Sequence, residues 1–393
     1  MEIVIVGAGP IGCYIAQLLL NLGIKARIME EHQEVGMPVK CAGIVGRQVF
    51  EDTSFRISKS SIINQIDGAL FFYQGDNFRI RREGVAYVID REKFDKELSK
   101  GLEIEYERRL LAIEQRGKGY GLKTSKGEIN AEIVIGADGA RSRVRRFMRS
   151  NPEGVKEKNK HHKHQEDELK EGFKEGIKYY TGWQYRLKLA ENFPSPHLVR
   201  VYLEENIPFF FWIIPESEEI IRVGVIAKEG RSQLNRFLAE EKIRGEIIDK
   251  LAGIIPLGMV PKIGANNLAL VGDAACHIKP LTGGGIYYGL KAAEILVGCI
   301  RDNSLAEYER RWKRKYRREI RLGLGARKIY ERLNKQGVKD IFYLFKENAN
   351  FIEEVANFEN HSLILREVFK KPRILIRASQ VLGKNIGRVI GKN

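Results

Sequence analysis

The run Glu2 to Gly12, EIVIVGAGPIG, restricts the fold more than any other stretch. A short β-branched strand, Glu2 to Val6, leads into Gly7-Ala8-Gly9-Pro10-Ile11-Gly12, and an apolar helical stretch then continues to Leu22 before Gly23. A second strand, Lys25 to Met29, ends at Glu30, 18 residues beyond Gly12 (30 − 12). Strand, glycine turn, helix, strand and acid, with about 20 residues between last glycine and acid, is the order a dinucleotide-binding unit requires. Gly7 allows the tight turn, Gly9 lets a pyrophosphate touch the backbone, and Gly12 lets the helix pack on the strand. Glu30 can accept hydrogen bonds from a ribose diol.

A second stretch repeats the logic. Leu268 to Val271 is apolar and suits a buried parallel strand; Gly272-Asp273 follows, then Pro280, the glycines Gly283 to Gly285, and a helical run from Ile286 to Arg301. Glycines before a helix N-terminus make an anion site, because free N–H groups and a partial positive charge converge there. Ile129 to Ile135 likewise runs into Gly136-Ala137-Asp138-Gly139 and Ser142.

Between these stretches the pattern changes. Leu70 to Tyr73 and Phe78 to Arg82 flank Gly75-Asp76-Asn77 as a hairpin, Val85 to Ile89 is a further strand, and Asp90 caps a helix begun by Arg91. From Ile177 to Ala227 strands succeed one another without long helices, which predicts an antiparallel sheet; a helix is expected over Leu234 to Ala252. Within that sheet, Phe209-Phe210-Phe211-Trp212 is the most apolar strand. Alternation puts Phe209 and Phe211 on one face and Phe210 and Trp212 on the other, so one face can line an apolar pocket or both can be core.

The net charge of +16 bears on partners, not fold. It concentrates after Arg301, in Arg310 to Arg321 and in an apolar, basic tail from Leu363. That composition fits a helix lying on an anionic bilayer, or a packed helix with a solvated basic face. No nucleic-acid motif accompanies it, so nucleic acid is not an expected partner. The polar segment 151–176 includes His161, His162 and His164, but no ligand spacing for a metal. The cysteines Cys13, Cys41, Cys276 and Cys299 are far apart and fit a reducing cytosol. No run of about 18 apolar residues is present. Cys41 follows Lys40 in a glycine-rich loop, where a neighbouring cation can activate a thiol or the thiol can be inert.

Together, Gly7 to Gly12 with Glu30, Arg91 in its DRxxFD stretch, Ala137-Asp138-Gly139 with Ser142, and Gly272-Asp273 with the Pro280/Gly283–Gly285 loop resemble FAD-dependent enzymes of the para-hydroxybenzoate hydroxylase architecture. Within that group, Pro38 to Gly43, Gly272 to Ala275 with Lys279 to Ile286, and Arg366 to Pro372 resemble the geranylgeranyl reductase family, archaeal-type digeranylgeranylglycerophospholipid reductases included. The family's aromatic motif PxxYxWxFP is matched by Pro208 to Pro215 with one residue fewer, Phe210 standing for Tyr and Ile214 for Phe.

The resemblance implies an α/β fold: a Rossmann-like FAD-binding domain (1–60, 85–150, 262–305), an inserted antiparallel-sheet substrate domain (61–84, 177–261), a charged junction (151–176) and a basic helical C-terminal region (306–393). It implies flavin contacts at Ile11, Gly12, Glu30, Cys41, Ala42, Arg91, Leu110, Asp273, Gly285 and Ile286, besides the Gly7 and Gly9 turn. It also implies a role for Cys41 at the reactive face of the flavin, and a substrate pocket around Phe209 to Trp212. The expected activity is reduction of C=C bonds in geranylgeranyl chains of membrane lipids or prenyl precursors, at the inner membrane surface from the cytoplasm. The electron donor is open between NAD(P)H and a ferredoxin-like redox partner. A monooxygenase of the same fold and a non-catalytic prenyl-lipid carrier are the alternatives.

Overall fold

The computed structural model describes residues 1–150 and 176–368, with 370–372, 374 and 377. The histidine-rich part of segment 151–176 and most of the basic tail lie outside the described residues. The fold is mixed α/β, as the fingerprint requires. Its first sheet runs in the order Gly264–Ala265, Leu268–Leu270, Ile133–Gly136, Ile3–Val6, Ala26–Met29, Ile104–Glu105, and every pair except the first is parallel. Ile3–Val6 is wholly buried at the centre, which explains its unbroken apolar run: a parallel strand is covered on both faces. The helices Pro10–Asn21 and Ile286–Arg301 pack together beside this sheet, and the three-stranded antiparallel sheet Leu110–Arg116, Gly119–Thr124, Gly127–Ala131 adjoins it.

The second sheet has eight strands in the order Gly245–Leu257, Lys178–Leu189, Ile220–Ile226, Phe211–Pro215, Val199–Tyr202, Ile62–Tyr73, Asp76–Ile89, Ile44–Gly46. All its pairs are antiparallel except Val199–Tyr202 on Ile62–Tyr73. Two sequence expectations are corrected here. Leu234–Ala252 is not one helix. The helix is Gly230–Glu240; Lys242 takes a left-handed φ of 53°, and the chain returns as the strand Gly245–Leu257 along Lys178–Leu189. A neighbouring strand offered hydrogen bonds that local helical preference could not foresee. The hairpin is also longer than expected: Asp76–Ile89 is one strand running through the 84/85 division. Its turn is Gln74-Gly75, both at positive φ (48° and 85°), as a two-residue hairpin loop demands.

Beyond Arg301 the described residues form the helices Tyr308–Tyr330, Lys335–Glu347, Ala349–Val355 and Ser362–Val368. Tyr308–Tyr330 buries Trp312, Tyr316 and Ile320 on one face, where Trp312 and Tyr316 stack at 4.3 Å. Phe342, from the next helix, meets Tyr73 and Phe78 of the hairpin. The C-terminal helices therefore span both sheets.

Candidate active site

The glycine turn is built for packing at two positions and for access at the third. A Cβ at Gly7, whose φ is 101°, would stand 2.5 Å from Ala137 O, and one at Gly12 would stand 1.9 Å from Gly7 O. Nothing lies within 4 Å of a Cβ at Gly9. Gly9 precedes the helix Pro10–Asn21, which has no side-chain cap and no acid in its first turn, so its positive end is left for an anion. Glu30, one strand over, accepts from Ala8 N (2.7 Å) and His32 N (3.1 Å) and faces His32 Nδ1 at 2.6 Å. The carboxylate is thus fixed at the strand ends, where a ribose is held in such folds.

The two strand-end acids have different employment. Asp138 accepts from Ser142 Oγ (2.6 Å), Arg143 N (2.7 Å) and Val144 N (3.2 Å), capping the helix Arg143–Ser150. Buried Arg145 donates to Ala140 O (2.7 Å), Ala274 O (2.9 Å) and Tyr179 Oη (2.8 Å), tying that turn to the one at Asp273. Asp273 faces the cavity. Burial pushes its carboxyl up to about 6, against the pull of Arg91 and Arg145. The folded protein therefore binds this proton more tightly than the unfolded chain does, and stability falls as pH rises from about 4 through about 6. Above that window a cost remains, smaller than the roughly 3 kcal/mol of a fully buried carboxylate, because Asp273 is only partly buried where it faces the cavity. In apo-protein, Asp273→Asn is expected to raise the unfolding free energy by up to that amount at neutral pH, with the gain shrinking to nothing near pH ~4, as read by urea denaturation. Equal stabilities at neutral pH would show that Asp273 is not a costly carboxylate.

Arg91 opens the helix Arg91–Ser99, and its guanidinium lies 3.0 Å from Asp95 Oδ2. Burial opposes the Arg91 charge, while Asp95 and Cys41 favour it more strongly, so it is held upward. Cys41 Sγ accepts from Gly43 N at 3.4 Å. Behind that loop Arg222 pairs with Glu216 (2.6 Å) and donates to Ala42 O (2.8 Å) and Ile89 O (3.1 Å). Gly43 can only be glycine there: its φ is 72°, and a Cβ would stand 1.7 Å from Arg222 Nη1. Arg222 was not among the residues the sequence singled out. The signal was a charge inside the otherwise apolar strand Ile220–Ile226.

The aromatic stretch departs from simple alternation. The strand begins at Phe211, so Phe209 and Phe210 precede the pleat. Phe209, Phe210 and Trp212 line the cavity. Phe211 does not: it stacks on Phe237 at 4.4 Å, on the sheet's other face, beneath the helix Gly230–Glu240. Its place in the expected substrate pocket is corrected accordingly. Trp212 Nε1 donates to Gln184 Oε1 (2.9 Å). Over Phe209, at 3.6 Å from the ring centre, sits the guanidinium of Arg327. It donates to Pro280 O (3.1 Å), Leu281 O and Pro208 O. Arg327 also escaped the sequence reading, masked by the many cations around it.

One cavity of about 1610 Å³ joins these parts. Gly7, Gly9, Ile11, Glu30, Cys41, Ala42, Arg91, Leu110, Asp273, Gly285 and Ile286 all line it; Gly12 does not, since it packs helix on strand. The helix Ile286–Arg301 brings its N-terminus, behind Gly285, to the cavity wall. Phe342, Phe345 and Ile352 of the C-terminal helices also line it. Single-ligand pockets measure about 300–1,000 Å³, so this space exceeds what one small ligand needs. Among the described residues no cluster of three His, Cys, Asp or Glu side chains is set to hold a metal.

No protein-family model matches the chain. The uncharacterized protein MJ1520 of Methanocaldococcus jannaschii is 30% identical, over 94% of this chain and 95% of its own. The digeranylgeranylglycerophospholipid reductase of Methanococcus vannielii is 28% identical over 95% and 96% of the two chains. Among solved structures, a geranylgeranyl bacteriochlorophyll reductase-like protein of Thermoplasma acidophilum superposes with a TM-score of 0.76, covering 97% of this chain and 98% of its own at 22% identity.

Proposed function

Since the chain belongs to the geranylgeranyl reductase family of FAD-dependent oxidoreductases, we propose that it saturates C=C bonds of geranylgeranyl chains in membrane ether lipids or their prenyl precursors. The observation that carries this reading is that one cavity is lined both by Gly9, Glu30, Asp273 and Gly285 and by the aromatic Phe209, Phe210 and Trp212. Gly9, the helix end at Pro10 and Glu30 would hold the adenosine and pyrophosphate half of FAD. Asp273, Gly285 and Ile286 would hold the ribityl and ring half. FAD, once bound and reduced, supplies hydride. An isolated alkene is a poor electrophile, so the aromatic lining contributes by excluding water and fixing the chain against the ring site. Cys41, in the lining of the same cavity, is the proposed proton donor or ring contact.

The test is anaerobic incubation of the FAD-loaded, dithionite-reduced protein with a digeranylgeranyl lipid, followed by mass analysis. The expected result is a gain of H₂ for each saturated bond; unchanged lipid would sink the proposal. Parallel arms with NADPH or reduced ferredoxin identify the donor. An aerobic NADPH arm giving oxygenated lipid would favour a monooxygenase. Cys41→Ser is expected to slow turnover while retaining FAD, and unaltered turnover would remove the thiol from the reaction.

No helix among the described residues is long and apolar enough to cross a membrane. The substrate proposed here resides in one, and the helix Tyr308–Tyr330 turns Arg314, Lys315, Arg317, Arg318 and Arg321 outward. Peripheral association through these cations is expected, each worth about 1 kcal/mol at an anionic surface. The protein should co-sediment with phosphatidylglycerol vesicles and not with phosphatidylcholine vesicles, less so in high salt. Exchanging Arg314, Arg317, Arg318 and Arg321 for Gln should weaken that binding by about 4 kcal/mol.

A further inference from the structure

Lys279 stands between the Asp273 turn and the glycine loop. Its N–H donates to Gly284 O (2.8 Å) and its carbonyl accepts from Gly283 N (2.9 Å). The side chain runs beneath the loop, so that a Cβ at Gly284 would stand 2.9 Å from Lys279 Cε. Lys279 is 5% exposed, lines the cavity, and donates from Nζ to Phe358 O at 2.9 Å. Nζ also lies 2.9 Å from Glu359 Oε2, in a contact with the geometry of an ion pair, not of an aligned hydrogen bond.

Glu359 is 3% exposed, and its other oxygen accepts from Gly46 N at 2.8 Å. A Cβ at Gly46 would stand 2.4 Å from that oxygen. A carboxylate from the C-terminal region thus touches both the glycine loop, through Lys279, and the strand that leaves the Cys41 loop. Such a pair gains little over apolar residues of the same shape, because desolvating both charges offsets their attraction. Its placement against the ring site points to an electrostatic role.

We propose that Lys279 and Glu359 set the reduction potential of the bound flavin, Lys279 favouring the anionic reduced form and Glu359 opposing it. This rests on the reading that the cavity holds FAD. Charges fixed in a dry site act on a neighbouring redox centre far more strongly than the same charges in water. Removing either one therefore moves the couple in a direction set by sign alone, and removing both largely cancels.

The experiment is a dithionite titration, against a reference dye, of FAD-loaded wild type, Lys279→Met, Glu359→Gln and the double variant, with FAD affinity measured by fluorescence. Lys279→Met should lower the midpoint and Glu359→Gln should raise it, each by at least tenfold in the reduced-to-oxidised preference, about 30 mV for a two-electron couple. The double variant should return toward wild type. Lys279→Met leaves a buried carboxylate unpaired and can fail to fold; in that case the midpoint gap between Glu359→Gln and the double variant isolates the Lys279 charge. Midpoints that stay put, or that shift in one direction in both single variants while FAD is retained, overturn this proposal alone. Failure of wild type to bind FAD overturns it together with the cofactor reading.

Discussion

Gly9→Val is expected to leave the apo-protein folded and to strip it of FAD. Gly9 has φ −66° and ψ 177°, a conformation open to any residue, and no atom lies within 4 Å of the position a Cβ would take. Gly9 is the N-cap, where Val serves less well than Gly, so folding stability should fall by no more than about 1 kcal/mol. The new side chain would stand in front of the uncapped helix Pro10–Asn21, where a pyrophosphate must come close to backbone N–H groups. Losing two charge-assisted hydrogen bonds costs about 3 kcal/mol or more, on the order of a hundredfold in affinity. Gly12→Ala is the contrasting case. Its Cβ would meet Gly7 O, a backbone atom that cannot easily move aside, at 1.9 Å, so stability should fall along with binding. Thermal melts of the two apo-proteins beside FAD fluorescence titrations separate the cases. A Gly9→Val protein that keeps wild-type FAD affinity would remove the fingerprint from the cofactor site.

Arg327→Met should cost about 4 kcal/mol of stability. Arg327 is 6% exposed, and its guanidinium serves three carbonyls, of Pro208, Pro280 and Leu281. Methionine keeps apolar bulk over Phe209 but offers no donor, and each carbonyl left buried and unpaired costs about 1–3 kcal/mol. Burial pulls the Arg327 charge down to about 10, still well above neutral pH, so the fork stays protonated. Arg327→Lys should recover part of the loss, since an ammonium donates in fewer fixed directions. Urea denaturation checks the order wild type, then Lys, then Met. An Arg327→Met protein within about 1 kcal/mol of wild type would mean that water replaces the guanidinium.

The same arginine marks a limit of reading along a chain. In Arg310 to Arg321 and beyond, cations are so frequent that one more carries no signal. Only packing separates Arg327, buried under Pro280, from exposed Arg318 and Arg321. Phe211 makes the point for apolar residues. Alternation held within the strand, with Trp212 on the cavity side and Phe211 against Phe237, but failed at Phe209, which precedes the strand and lines the cavity instead of sharing Phe211's face. The helix expected over Leu234 to Ala252 failed for a third reason: from Gly245 the chain is a strand because Lys178–Leu189 lies beside it.

The amino-acid sequence by itself determined the parallel sheet around Ile3–Val6, the glycine turn with Glu30, and the helix Ile286–Arg301 behind its glycine loop. These are local signals. Strand, turn and helix follow one another within about thirty residues, as such a unit requires, and Gly12 is demanded by Gly7 O, five residues before it. The tertiary structure decided what brings distant segments into one cavity: Arg222 behind the Cys41 loop, Arg327 across the Pro280 loop, Glu359 against Lys279 and Gly46. Each joins parts of the chain far apart in sequence by a buried charge on backbone or partner. A buried charge is tolerated only where those partners converge, and convergence is a property of the folded chain.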